Sequence, residues 1–254
     1  MTLMMWMKRL GAAALALSLT VSGAGAIVGG ATDTGALARS SVMVLNSSGG
    51  MCSAVVVARD VVLTAAHCVG GTDEHRVHFK DESGKPVLIE PAAKAVHPGY
   101  DAKAIQTRRR SIDLALVRVP GPLPERFQVA TLSAANPRKD GALLVGGWGA
   151  AEERDFRTTG TFRTAPLKVV EPYGPSTLLV WAQGAPGSGA CNGDSGGPLV
   201  EAGEGPSPVF AVTTWATGPK GKSCGALTQG VLLGPQRAWI DGTLAGWGRQ
   251  AAWE

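Results

Sequence analysis

The chain has 254 residues, of which 44% are hydrophobic and 17% charged, with a formal net charge of +4 at pH 7. This excludes a disordered polyelectrolyte and allows one large domain or two small ones with a substantial core. Lys8 and Arg9 account for two of the positive charges and lie in a leader-like segment. The remaining excess is too small to suggest a nucleic-acid partner.

In chain order, Lys8 and Arg9 precede an apolar run of 12 residues, Leu10 to Val21, followed by Ala24-Gly25-Ala26. A basic start, a short apolar run and an A-x-A site predict a signal peptide over residues 1–26. The run is short for an uncleaved anchor, and no later stretch is long and apolar enough to span a bilayer. The expectation is therefore a secreted protein, extracellular or periplasmic, with no stable membrane anchor after cleavage.

Short Val- and Leu-rich runs predict strands at Ser41 to Leu45, Ala54 to Val57, Val61 to Thr64, Val87 to Ile89 and Leu114 to Val119. Others follow at Leu143 to Val145, Leu178 to Trp181, Val209 to Thr214 and Val231 to Leu233. Turn-forming stretches separate them, including Ser47 to Gly50, Arg59-Asp60, Asp81 to Gly84 and Gly203 to Pro208. Many short, punctuated strands point to an all-β protein of antiparallel sandwiches or barrels. Breaks at Pro120 to Arg126 and Asn136 to Gly141 suggest two β units, 27–130 and 131–234. Beyond Pro235, Trp239, Ile240 and Leu244 recur with helical spacing, so 235–254 reads as a short helix and tail.

Four cysteines, Cys52, Cys68, Cys191 and Cys224, read as two disulfides in an exported chain. Spacing alone leaves three pairings open. No C-x₂-C or H-x₃-H spacing supports a zinc site, so no metal or other cofactor is expected.

Gly193-Asp194-Ser195-Gly196-Gly197-Pro198 places a serine among glycines, which suits a nucleophile on a tight turn. The amides of Gly193 and Ser195 could then address one oxygen, as an oxyanion hole requires. A serine nucleophile needs a base. Of the four histidines, His67 follows an apolar strand in Thr64-Ala65-Ala66-His67-Cys68, whereas His75 and His78 lie in a charged stretch that reads as a surface loop. The base needs an acid, and Asp113 heads the apolar run Ile112-Asp113-Leu114-Ala115-Leu116. A carboxylate there is costly unless it has a partner, and an imidazole is a suitable one.

These motifs, with Ile27-Val28-Gly29-Gly30, His97-Pro98-Gly99-Tyr100, Gly147-Trp148-Gly149 and Thr214-Trp215, resemble the chymotrypsin-like serine proteases in type and order. The resemblance runs from residue 27 to the C-terminal helix. It implies two six-stranded antiparallel barrels with the site in the cleft between them. It also implies the pairings Cys52–Cys68 and Cys191–Cys224. His67, Asp113 and Ser195 would form the catalytic triad. A terminal amine at Ile27 would pair with Asp194, and Gly189 would lie at the base of the primary specificity pocket. Ala190, Thr214, Trp215, Ala216 and Gly230 would line that pocket and its approach. With no charge near Gly189, an uncharged apolar residue is expected before the scissile bond. Ser195 also fits G-x-S-x-G, the α/β-hydrolase elbow, but that family needs a later histidine and none follows His97.

Some positions depart from the family's pattern. Thr214 stands where the family often has serine, and its hydroxyl could still reach Asp113. Trp181 falls about where animal relatives carry another cysteine, and the sparse cysteine set resembles bacterial members. The stretch between Tyr100 and Asp113 carries Arg108-Arg109-Arg110 and reads either as a solvated basic loop or as a preference for acidic substrate residues. Ala151 to Thr164 reads as an exposed loop prone to proteolysis. The expected protein is a monomeric endopeptidase with polypeptide substrates and a protein inhibitor as a further partner. The rival is a catalytically silent binding protein on the same fold.

Overall fold

The structure is a computed structural model that describes residues 27–254 except Arg108, Glu204, Pro206 and Lys220. The expected signal segment, 1–26, lies outside the described residues. The first half holds β1 (Ala31–Thr32), helix α1 (Ala36–Arg39), β2 (Ser41–Asn46), β3 (Met51–Ala58) and β4 (Val61–Thr64). It continues through β5 (His75–Lys80), β6 (Pro86–Ile89), β7 (Ala93–Val96), helix α2 (Ala104–Thr107) and β8 (Ala115–Arg118). The second half holds β9 (Thr131–Leu132), β10 (Ala142–Gly147), β11 (Arg163–Val170), β12 (Leu179–Gln183) and β13 (Pro198–Glu201). It ends with β14 (Val209–Ala216), β15 (Leu227–Leu232), helix α3 (Arg237–Gly246) and β16 (Ala252–Trp253).

The expected all-β, chymotrypsin-like architecture is present. In the second half, β13-β10-β11-β12-β15-β14 form a six-stranded ring that closes because β13 pairs with both β10 and β14. The first half is a seven-stranded sheet in the order β6-β5-β2-β3-β4-β8-β7, which hydrogen bonding leaves open. Its end strands, β6 and β7, are nevertheless consecutive in the chain. Glu90-Pro91-Ala92 separates them, and Pro91 has no amide to donate, so pairing breaks there.

Central strands of the first sheet are buried on both faces, which explains their unbroken apolar runs. In β3, Ala54 and Val56 enter the sheet's own core with Val42, Val44 and Val117. Val55 and Val57 face the other way, meeting Leu63, Leu114, Leu116, Val212 and Leu233 between the two sheets. Ile240 and Leu244 of α3 complete that interface. The tail then folds back. Arg249 donates to both oxygens of Asp60, from Nε at 2.6 Å and a terminal nitrogen at 2.8 Å. The Trp253 indole donates to Asp241 at 2.8 Å.

Both disulfides are as the resemblance implied, Cys52–Cys68 and Cys191–Cys224. With a sequence separation of 16, the first contributes roughly 3 kcal/mol in the chain-entropy view. The stretch read as a loop around His75 and His78 is strand β5. His75, Val77 and Phe79 alternate inward, and the polar residues between them hid that pattern. The loop expected from Ala151 to Thr164 is shorter. Phe162 is buried and β11 begins at Arg163.

Candidate active site

His67 sits on the 3₁₀ turn Ala66–Cys68, which leaves the end of β4. The Cys52–Cys68 bridge fastens that turn to β3. Asp113 immediately precedes Leu114 and strand β8, where buried Leu114 fixes the backbone. The Asp113 carboxylate grips His67 twice. Oδ1 accepts from the His67 amide at 2.8 Å and Oδ2 lies 2.6 Å from Nδ1. Placing the Nδ1 proton against the carboxylate leaves the Nε2 lone pair as the ring's basic site.

Ser195 comes from the other sheet, on the turn between β12 and β13. Gly193 and Gly196 adopt φ of +94° and +85°, which other residues reach only with strain. A side chain at Gly196 would collide with the Ser53 carbonyl and the Thr64 hydroxyl. Ser53 of β3 ties this turn to the first sheet. Its amide donates to the Ser195 carbonyl at 2.8 Å and its hydroxyl to the Gly193 carbonyl at 2.9 Å. That hydroxyl accepts in turn from the Trp148 amide at 2.9 Å. Cys68 Sγ lies 3.9 Å from the Ser195 carbonyl oxygen. The serine turn is thus fastened beside the segment that carries His67. Ser195 Oγ makes no hydrogen bond among the described residues, and neither do the amides of Gly193 and Ser195. The sequence reading missed Ser53. Its available signal was a small polar residue inside a strand apolar on both faces.

Asp194 is fully buried. Oδ1 accepts from the Gly149 amide and Oδ2 from the Cys191 amide, both at 2.8 Å. Burial pushes its pKa up to about 7, against the pull of those two amides and of Arg163. No ion pair reaches it among the described residues. Ile27 is fully buried as well, at φ +52°, a region costly for a β-branched residue. The Val28 carbonyl accepts from the Gly189 amide at 3.0 Å.

A side chain added at Gly189 would point at Thr228 Oγ1, 3.3 Å away, and towards the backbone of Gly225 and Ala226. Thr228 is fully buried, and its hydroxyl accepts from the Ala190 amide at 3.1 Å. Gly230, expected as a pocket wall, lies further along β15, away from Gly189. A side chain there would meet Leu199 and Ala211 in the barrel core. In the β14–β15 register Ala216 stands opposite Thr228 and Thr213 opposite Gly230, with a bulge between Thr213 and Trp215. The same bulge leaves Thr214 Oγ1 bonded to Gln229 at 3.3 Å, so the bond considered towards Asp113 is not made. Trp215 is 37% exposed, edge-on to Trp181 at 5.9 Å, and Trp181 is edge-on to Tyr173 at 5.2 Å. In the basic loop, Arg109 and Arg110 are exposed, and Arg108 lies outside the described residues.

Comparison with known proteins places this arrangement. A sequence model of the trypsin family matches residues 27–233. Venom plasminogen activator Haly-PA of Gloydius brevicauda is 26% identical over 230 residues, covering 82% of this chain and 83% of its own. Granzyme M of Rattus norvegicus is 26% identical over 235 residues, covering 82% and 85%. Among solved structures, human heparin binding protein superposes with a TM-score of 0.70 at 22% identity, covering 89% of this chain and all of that one. Mouse neuropsin does so with a TM-score of 0.68 at 24% identity, covering 85% and 99%. Likeness at that identity speaks for the fold alone. These relatives are animal proteins, and they lend the expected bacterial source no support.

Proposed function

The chain belongs to the trypsin family of serine proteases, and we propose that it is an active, secreted serine endopeptidase. The observation that carries this reading is the doubly hydrogen-bonded His67–Asp113 pair, with the Ser195 turn tied beside it through Ser53. In the proposed mechanism Ser195 Oγ attacks the peptide carbonyl carbon as His67 Nε2 takes its proton. Asp113 holds the ring and stabilises the imidazolium. The Gly193 and Ser195 amides receive the charge on the carbonyl oxygen. His67 then protonates the leaving amine, and water releases the acyl group by the reverse sequence. Cleavage of a peptide library by the purified chain, blocked by a serine-directed organophosphate, is the expected result. Absence of cleavage across the library contradicts it. On this reading residues 1–26 are a signal peptide, 27–130 and 131–234 are the two β units, and 235–254 form a helix and tail. The enzyme acts as a monomer on polypeptides, subject to a protein inhibitor. No helix among the described residues is long and apolar enough to cross a membrane.

We further propose a primary pocket that takes small to medium apolar side chains. Gly189 brings no charge, so a substrate Lys or Arg would be buried without a partner, at a cost of several kcal/mol. Thr228 occupies depth that a glycine wall would have left open. In a peptide panel varied only before the scissile bond, Val, Ala and Leu should be cleaved faster than Phe, and Lys or Arg slowest. Thr228→Gly should raise the rate on Phe relative to Val by roughly tenfold, within the 1–3 kcal/mol that fitting a hydrophobic pocket is worth. Fastest cleavage after Lys or Arg contradicts the pocket.

We propose that the mature chain begins at Ile27. A cut there removes the constraint that holds Ile27 at positive φ and frees an amine to pair with Asp194. While the leader is attached, Asp194 has a folded pKa of about 7 against an ordinary 3.8. The folded state then binds the extra proton between those values, so this group favours folding at low pH, and that stability is lost as pH rises from about 4 to 7. With the amine free, Asp194 should titrate lower. The amine should titrate above its ordinary 7.7–8.0, its contribution being present below that range and lost as pH rises through the raised value. The mature form should therefore melt well above the leader-bearing form at pH 7, and the gap should narrow towards pH 4. Equal melting temperatures at pH 7, or an active secreted protein with another N-terminus, overturn this.

A further inference from the structure

Resting on that endopeptidase reading, we infer that Glu153 is a positioning residue that holds one wall of the primary pocket in place across two loops. Its Oε1 accepts from both the amide and the hydroxyl of Ser223, at 2.9 and 2.7 Å, over a sequence separation of 70. These two bonds hold the Glu153 carboxyl below its ordinary range.

Each end of this latch leads into the site. On one side, the loop carrying Glu153 is rooted at Gly149, whose amide donates to Asp194, and at Ala150, whose amide donates to the Asn192 carbonyl at 2.8 Å. The loop is stiffened internally, as Thr158 Oγ1 accepts from the Ala151 amide and donates to the Asp155 carbonyl. On the other side, Ser223 precedes Cys224, which is bridged to Cys191. The next residues form the wall. Gly225 lies against the Gly187 backbone, and Gly225 and Ala226 lie 3.8 Å from where a Gly189 side chain would begin. The strand ladder ends where the Thr217 amide bonds to Leu227 and the Ala226 amide to Thr217. Beyond it, the described hydrogen bonds of the 218–223 turn are Lys222 to Pro219, a long contact from Thr217 Oγ1 to the Gly218 carbonyl, a weak one between Ser223 Oγ and Cys224 Sγ, and the pair to Glu153, which alone reaches another loop. A cleft of about 430 Å³ lies between the two loops and Val28, so the wall has open space behind it rather than packed core. Without Glu153, the 218–223 turn loses its described hydrogen bonds to the loop across the cleft.

The test uses the full mature chain with Glu153→Ala and Glu153→Gln. Glutamine keeps an Oε1 acceptor for both bonds. Hydrogen exchange at the Ser223 amide reads the latch, and kcat and KM on one Val-containing peptide read the pocket. Glu153→Ala should speed Ser223 exchange and raise KM roughly three- to tenfold with kcat changed by less than about twofold. Glu153→Gln should stay near the parent in both. Unchanged exchange, unchanged KM in Glu153→Ala, or a Glu153→Gln variant as impaired as the alanine overturns the inference. A parent chain without peptidase activity overturns the endopeptidase reading instead. The pocket is then read as the Kd of the same peptide by calorimetry, in a Ser195→Ala background with and without Glu153→Ala. A three- to tenfold weakening supports the inference, and an unchanged Kd overturns it.

Discussion

Ser195→Ala is expected to lower kcat for peptide hydrolysis by on the order of 10⁶-fold, the scale found when a triad nucleophile is removed from an unrelated serine protease. The variant should fold normally. The serine turn is held by its backbone, through Ser53, Gly193 and the Asp194 carboxylate, and none of those bonds uses the Ser195 hydroxyl. Matching circular dichroism and melting temperature would therefore accompany the loss. A residual rate of even a tenth of the parent's would mean that another group attacks the substrate.

The second large effect is expected at Asp113. Asp113→Asn keeps the size of the side chain but places an amide where one carboxylate oxygen stood. The two oxygens have separate tasks, one accepting from the His67 amide and the other from Nδ1. If the new carbonyl serves the backbone amide, the NH₂ group faces Nδ1. The ring must then carry its proton on Nε2, where it can no longer accept one from Ser195. The loss in kcat should be on the order of 10⁴-fold with KM little changed. A loss below about tenfold would show that Asp113 does not set the tautomer.

How far the site could be read from the sequence depended on what positions each residue. The placement of His67 against Asp113, and of Ser195 on a turn tied beside them, was legible because each sits in a short contiguous motif whose order is itself informative. The pocket was less legible. Thr228 and Gly230 are two residues apart on β15 and so share a face of that strand, opposite Ala216 and Thr213 on either side of a bulge in β14. Alternation therefore does not choose between them: Thr228 ends beside Gly189, and Gly230 lies further along against Leu199 and Ala211. No local composition marks that position along the strand, and the glycine was the natural but wrong choice for a pocket wall. The same bulge turned Thr214 towards Gln229. Strand β5 was hidden for a different reason. Its outward residues, Arg76, His78 and Lys80, are polar, and its inward set includes His75, which reads as polar although it is buried beside Lys94. Burial and the nearby Lys94 charge hold that imidazole below its ordinary pKa. Ser53 and Glu153 act through bonds spanning 140 and 70 residues, distances at which no sequence pattern signals a partner.

The central claim is that Ser195 is a nucleophile activated by His67. The most direct measurement is peptide mapping by mass spectrometry after treating the mature chain with a fluorophosphonate. One adduct, on Ser195, formed rapidly in the parent and lost in a His67→Ala variant, is the predicted result. An unlabelled parent chain, or a label on another serine, would contradict it.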